Sequence, residues 1–230
     1  MSVLCLWSPL LHPDAVRNPS ESNAMPSITA IASVLVSAVG TFLTSPGQGV
    51  LVYLNMVSIS PWFDFSKPAE PQLGFNGLPR TTNLYLSSTD SVTIGVWHTR
   101  ASQRADKVVL YLHGNGENRA IHVGVLKHTL YSNSPFHADV VSPDYRGFGD
   151  SSFVQPTEQG LYDDAMTAYK YIVSTLGFQP HQVLVHGYSL GSAVATRLVH
   201  TLCTLHRSCP AALLLEVRQP FDLSNSLTHV

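Results

Sequence analysis

The stretch VLVHGYSLGSAVATRLV, residues 183–199, narrows the possible folds more than any other part of the chain. An apolar run rich in β-branched residues meets Gly187-Tyr188-Ser189-Leu190-Gly191, and a run of small and apolar residues with helical character follows. A strand that turns at once into a helix belongs in a parallel sheet, where the helix carries the chain back to start the next strand. In such a turn the serine takes a strained backbone angle, and the flanking glycines let strand and helix pass without Cβ clashes. The hydroxyl then projects from the C-terminal edge of the sheet. It lies beside a helix N-terminus whose free N–H groups favour negative charge. The plainer alternative is a serine that only caps the helix.

Strand and helix signals alternate on both sides of this turn. TNLYLSS and VTIGVWHT, separated at Thr89-Asp90, read as an antiparallel hairpin, and Lys107–Gly114 as a fully apolar buried strand. A helix is expected over Arg119–Tyr131 and a strand in ADVVSPDYRG. Thr157 can cap a helix that has Glu158 in its first turn and Leu161, Ala165, Ala168, Tyr169, Ile172 and Leu176 on one face. Ser189–Leu205 reads as a helix, and Ala211–Val217 as a last apolar strand, an edge with nothing to pair or cover it. The expected class is α/β, a mostly parallel sheet with helices on both faces.

The N-terminal part differs in kind. No Asp, Glu, Lys or Arg occurs from residue 22 to residue 63, in a chain with 12% charged residues against roughly 25% in an average domain. Residues 1–27 are irregular, and 28–63 read as a membrane anchor. Its apolar run ITAIASVLVSAVGTFL approaches the ~20 residues a span needs, and Trp62 and Phe63 suit an interfacial belt. The alternative is a buried helix and strand of a soluble fold. Residues 64–80 read as a linker and 81–230 as the α/β domain. A net charge of −2 gives no ground for a nucleic-acid partner. Cys5, Cys203 and Cys209 lack metal-ligand spacing; Cys203 and Cys209 could pair, but a reduced pair is the expected state.

Two further segments bear on chemistry. His113-Gly114-Asn115-Gly116 directly follows a buried strand, so backbone N–H groups at Asn115 and Leu190 could together hold the oxyanion of a tetrahedral intermediate. No Gly-Lys-Ser/Thr follows, which excludes a phosphate loop. Asp144, Arg146 and Asp150 in SPDYRGFGDSS read as a structural turn rather than catalytic groups, because they precede the nucleophile strand.

LYLHGNGENRA, DYRGFGDS, PTEQGLYDDA and HGYSLGSAVATRL together resemble an α/β-hydrolase. More narrowly, they are similar to the membrane-anchored lysophosphatidylserine-lipase and monoacylglycerol-lipase-like branch. LGFNGLPRTTNLYLSSTDSVTIGVWHT resembles that branch's opening hairpin. The resemblance implies a serine hydrolase of lipid-like carboxylic esters, with Ser189 the nucleophile and no cofactor or metal. It also implies association with a membrane, the endoplasmic reticulum being the expected one and the cytoplasm the alternative. The competing function is a non-catalytic protein that keeps the fold for interaction or lipid binding.

A serine hydrolase also needs an acid and a base, met in the order Ser, Asp, His. In the implied fold each follows a further strand, and a strand with its crossover takes roughly 30 residues. Only residues 192–230 follow the nucleophile turn, so the domain is expected to be truncated at its C-terminal edge and the activity impaired. His186 should point away from Ser189, and His113 should brace its own loop. His200 lies eleven residues beyond Ser189, about 16 Å along a helix at ~1.5 Å per residue. Asp222 and His229 remain as the one pair in the right order, set in a polar tail.

Overall fold

The computed structural model describes Tyr53 and residues 78–217 apart from Ser134. The expected anchor and linker, and the pair Asp222 and His229, therefore lie outside the described residues, Tyr53 and 78–80 excepted. Among the described residues no helix is long and apolar enough to cross a membrane.

Among the described residues six strands and three α-helices follow one another: β1 (Thr81–Ser87), β2 (Thr93–Thr99), β3 (Val108–Leu112), α1 (His122–Ser132), β4 (Asp139–Pro143), α2 (Glu158–Lys170), β5 (Val183–Tyr188), α3 (Leu190–Thr204) and β6 (Ala212–Glu216). They form one sheet in the order β1-β2-β4-β3-β5-β6. The β1–β2 hairpin and its contact with β4 are antiparallel, and β4, β3, β5 and β6 run parallel. Strands β4, β3 and β5 are nearly continuous apolar runs because both of their faces are covered. Val108, Leu110, Leu112, Val183 and Val185 meet Leu161, Ala165 and Ala168 of α2 and Val194, Ala195 and Leu198 of α3 in the main core. Val109, Tyr111 and Val140 point to the other face, against Tyr131 of α1.

Thr157 caps α2 as its sequence predicts, accepting from the Gly160 amide at 3.1 Å. The predicted buried face of α2 reaches the core through Ile172, one residue into a turn of π-helix over Tyr171–Thr175. Helix α1 starts at His122 rather than at Arg119. The Asn118 side chain accepts from the Ala120 amide at 2.9 Å, and the Arg119 amide is taken by Asp144, so the backbone there is committed to a turn. The cysteines depart from expectation: Cys203 is joined to Cys209, with their Cα atoms 4.5 Å apart. Among the described residues β6 is an edge of the sheet, as the sequence predicts, with Leu213, Leu214 and Leu215 between 37% and 45% exposed.

Buried His128 gives the fold a pH dependence. Its Nδ1 shares a 2.6 Å hydrogen bond with the Thr99 hydroxyl, and its ring meets Trp97 edge-on. Burial, with His98 and Arg119 nearby, pushes its pKa down from the ordinary 6.5 to about 3. The unfolded chain therefore takes up this proton first as pH falls. Stability contributed by neutral His128 is present above about pH 6.5 and is lost towards pH 3, at up to about 1.4 kcal/mol per pH unit. Urea midpoints measured from pH 7 to pH 4 should fall along this slope, and less steeply in His128→Gln. An unchanged slope in that variant would remove His128 from the explanation.

Candidate active site

Ser189 joins β5 to α3 with φ 51° and ψ −114°, a conformation that non-glycine residues seldom adopt. A capping serine sits in the extended region and bonds the first turn with its hydroxyl. Ser189 does neither: its side chain makes no capping bond. The strain is held by the surroundings. The Ser189 amide donates to the Glu216 carbonyl at 2.8 Å, the Ser189 carbonyl accepts from Ser192 N–H at 2.9 Å, and Ser192 Oγ donates to the Gly187 carbonyl at 2.9 Å.

Both glycines of the turn are required by close approach. A Cβ on Gly191 would overlap the Leu112 carbonyl oxygen and lie 2.7 Å from that of His113, and one on Gly187 would lie 2.6 Å from the Gly191 carbonyl carbon. These are backbone atoms at the end of β3 and the start of α3, and they cannot rotate aside. Gly191→Ala should therefore cost about 3 kcal/mol or more, the upper range for overpacking. Denaturant unfolding checks this, and a loss below about 1 kcal/mol would show that α3 can slide off β3.

That packing sets the Ser189 turn beside the loop after β3, since β3 and β5 are paired neighbours through Leu112 and Gly187. Leu190 opens α3, so its N–H has no carbonyl to reach within the helix. Asn115 lies in the loop, two residues after the buried His113. His113 Nδ1 donates to the Gly114 carbonyl at 2.8 Å, and the Gly114 amide donates to Glu117 Oε2 at 2.9 Å. His113 thus braces its own loop, packed on Tyr145 and Phe148. The two amides assigned from the sequence stand at the ends of adjacent strands, on the same edge as Ser189.

Asp144, Arg146 and Asp150 are structural, as their position before β5 predicts. Arg146 pairs with Asp164 at 2.9 Å and reaches Asp90 at 3.3 Å. Asp144 and Asp150 both serve a residue the sequence reading missed, Arg119. Its guanidinium, wholly buried, pairs with Asp144, with Asp150 at 2.7 Å and with Asn83 Oδ1 at 2.7 Å. Burial opposes the charged form, but the two aspartates outweigh it and push the Arg119 pKa up. The end of the β3 loop is thereby tied to β4 and to the hairpin. Gly95 of β2 makes the room, because a Cβ there would lie 2.6 Å from the guanidinium. A cation three residues past a glycine-rich loop in a chain with 13 Lys and Arg is the one sequence signal that could have flagged it.

The region 107–220 matches the model of a family described as the alpha/beta hydrolase fold. The chain belongs to the α/β-hydrolase superfamily. Among similar α/β-hydrolases are proteins named lysophosphatidylserine lipase: that of Danio rerio is 35% identical over 74% of this chain and 46% of its own length, and that of Rattus norvegicus 37% over 74% and 45%. The chain thus spans less than half the length of these curated relatives. The solved structure of a thermostable carboxylesterase cloned from a metagenomic library aligns with a TM-score of 0.50 at 19% identity, covering 75% of this chain and 54% of that one. It is a likeness of fold.

The α/β-hydrolase base is not found among the described histidine rings. His186 is fixed by Tyr131 at 2.9 Å and Glu216 at 3.1 Å, on the face of β5 that packs against α1. His98 bonds Asp139 at 2.9 Å, His128 bonds Thr99, and His137 bonds Ser102 at 2.9 Å. His181 lies in the turn before β5, and His200 and His206 lie at the far end of α3. None of these rings is hydrogen-bonded to Ser189. No group of His, Cys, Asp and Glu suited to a metal occurs among the described residues.

Proposed function

We propose that this chain carries the nucleophile half of a serine hydrolase acting on lipid-like carboxylic esters of the lysophospholipid or monoacylglycerol class. The observation that carries this reading is Ser189, strained at the β5–α3 junction without a capping bond. Its Oγ would attack the ester carbonyl, and the carbonyl oxygen would take the developing charge between the N–H groups of Leu190 and Asn115. The glycerol-side alcohol leaves, and water then hydrolyses the acyl-serine. The Ser189 proton needs a base that the described histidines do not supply; Asp222 and His229 are the pair that stands in the right chain order, and without them the reaction is slow.

The substrate class follows from the lysophosphatidylserine lipases among the relatives. Fatty-acid release from lysophosphatidylserine and from a monoacylglycerol, compared with Ser189→Ala, tests the proposal. Release that Ser189→Ala removes supports it. No release from either ester leaves the non-catalytic reading, which the engaged histidines favour, and release that survives the substitution rejects Ser189 as the nucleophile.

We also propose attachment to a membrane through residues 28–63, on their apolar, uncharged sequence. Alkaline carbonate extraction should leave the full chain in the pellet and release a variant beginning at Lys67. Release of the full chain would reject the anchor.

A further inference from the structure

Below the nucleophile turn, on the α1 face of the sheet, four polar side chains form a line that the proposed chemistry does not use. Lys127 of α1 pairs with Glu216 Oε2 at 2.6 Å, and the same oxygen lies 3.1 Å from His186 Nε2. His186 Nδ1 is 2.9 Å from the Tyr131 hydroxyl, back on α1. Glu216 is also the residue whose carbonyl accepts from the Ser189 amide. One residue therefore holds the nucleophile through its main chain and is itself held through its side chain.

We propose that Glu216 is a positioning residue for Ser189, and that Lys127 and His186 fix it in that role. The proposal rests on Ser189 being the nucleophile. The β-ladder alone is a weak source of the rigidity required. Glu216 is the last residue of β6, and β6 is the edge of the sheet among the described residues, so its end is the part of the sheet most prone to fray. Ser189 sits at positive φ, a conformation that persists only where neighbours over-determine it. Its amide bond to Glu216 is one of the few restraints on that angle. Anchoring the Glu216 side chain to α1 and to β5 converts a fraying strand end into a fixed acceptor. The charges agree with this arrangement. The hydrogen bond from Lys127 holds the Glu216 pKa below the ordinary carboxylate range, and burial, then Lys127, holds that of His186 down. At neutral pH Glu216 is therefore a carboxylate and His186 a neutral imidazole. A lone acidic residue in the otherwise apolar run Ala211–Val217 is its trace in the sequence.

Amide hydrogen exchange at Ser189, read by NMR on the full chain labelled with 15N-serine, tests this without any need for turnover. Glu216→Ala should speed exchange at Ser189 about tenfold, as expected when local opening replaces a held hydrogen bond, while the buried Ser142 amide on β4 keeps its protection. Lys127→Met, which leaves the His186 contact in place, should speed it less, and Glu216→Gln should restore most of the protection. Should Glu216→Ala fail to fold, Lys127→Met and Glu216→Gln carry the comparison. Exchange at Ser189 unchanged in Glu216→Ala and Lys127→Met, or rising in step with Ser142, overturns the proposal. Loss of the Ser189 role in ester cleavage would show instead as fatty-acid release indifferent to Ser189→Ala, with the exchange result unaffected.

Discussion

Ser189 is expected to react with a fluorophosphonate at least about 100-fold more slowly than the serine of a complete Ser-His-Asp hydrolase, the lower bound of what a positioned general base contributes. The probe reports an activated serine. A strained turn and two N–H groups supply the attack geometry and the oxyanion charge, but an unassisted hydroxyl remains a weak nucleophile at neutral pH. Every described histidine ring with a hydrogen bond is held by another partner: His98 by Asp139, His113 by Gly114, His128 by Thr99, His137 by Ser102, and His186 by Tyr131 and Glu216. The residual labelling should vanish in Ser189→Ala. Fast labelling lost in His229→Ala would install the Asp222–His229 pair as the working acid and base. Fast labelling that survives His229→Ala would refute the present assignment of the described histidines.

Arg119→Met should destabilise the fold by about 3–5 kcal/mol, the cost of removing one partner of a buried ion pair and leaving the other charged. Asp144 is fully buried, and its carboxylate takes both the amide and the guanidinium of Arg119. Without the cation it keeps the amide and His113 Nε2, 3.6 Å away and too far for a good hydrogen bond. Asp150 is part-exposed and can turn to water, so Asp150→Asn should cost far less. Denaturant unfolding of the two variants separates them. Equal and small losses would mean that water enters the site and solvates Asp144. The same substitution should loosen the loop that carries Asn115, because Arg119 fixes its far end. In the double variant with Asp144→Asn, the loss should shrink, since the stranded charge is gone.

The elements that could be read directly were those whose information is local. Alternation between β-branched apolar runs and helical faces located the hairpin, the buried strands and α2, down to the cap at Thr157. The glycines around Ser189 announced a strand–turn–helix with close backbone approach. The start of α1 was misplaced by three residues because the helical periodicity of 119–131 says nothing of an amide captured by Asp144, 25 positions on. Arg119 was passed over for the same reason: its partners Asn83, Asp144 and Asp150 come from three separate segments. Glu216 lies in a run that reads only as an apolar strand, and its partners His186 and Lys127 come to it from β5 and α1. The pairing of Cys203 with Cys209 depended on how the chain folds back after α3, which six residues of separation do not dictate.

Sequence alone determined the α/β class, the order of the elements and the candidate nucleophile. Side-chain period, glycine placement and β-branching act within a few residues, and there they leave little choice. Tertiary structure alone decided that Ser189 is strained rather than capping, that Arg119 pairs with Asp144 and Asp150, and that the Glu216 carbonyl accepts from the Ser189 amide. It also decided that the rings of His98, His128, His137 and His186 are held by other partners. Those outcomes rest on hydrogen bonds and ion pairs between groups 25 to 55 or more positions apart, whose strength depends on burial. Distance in space and exclusion of water have no local signature in the chain.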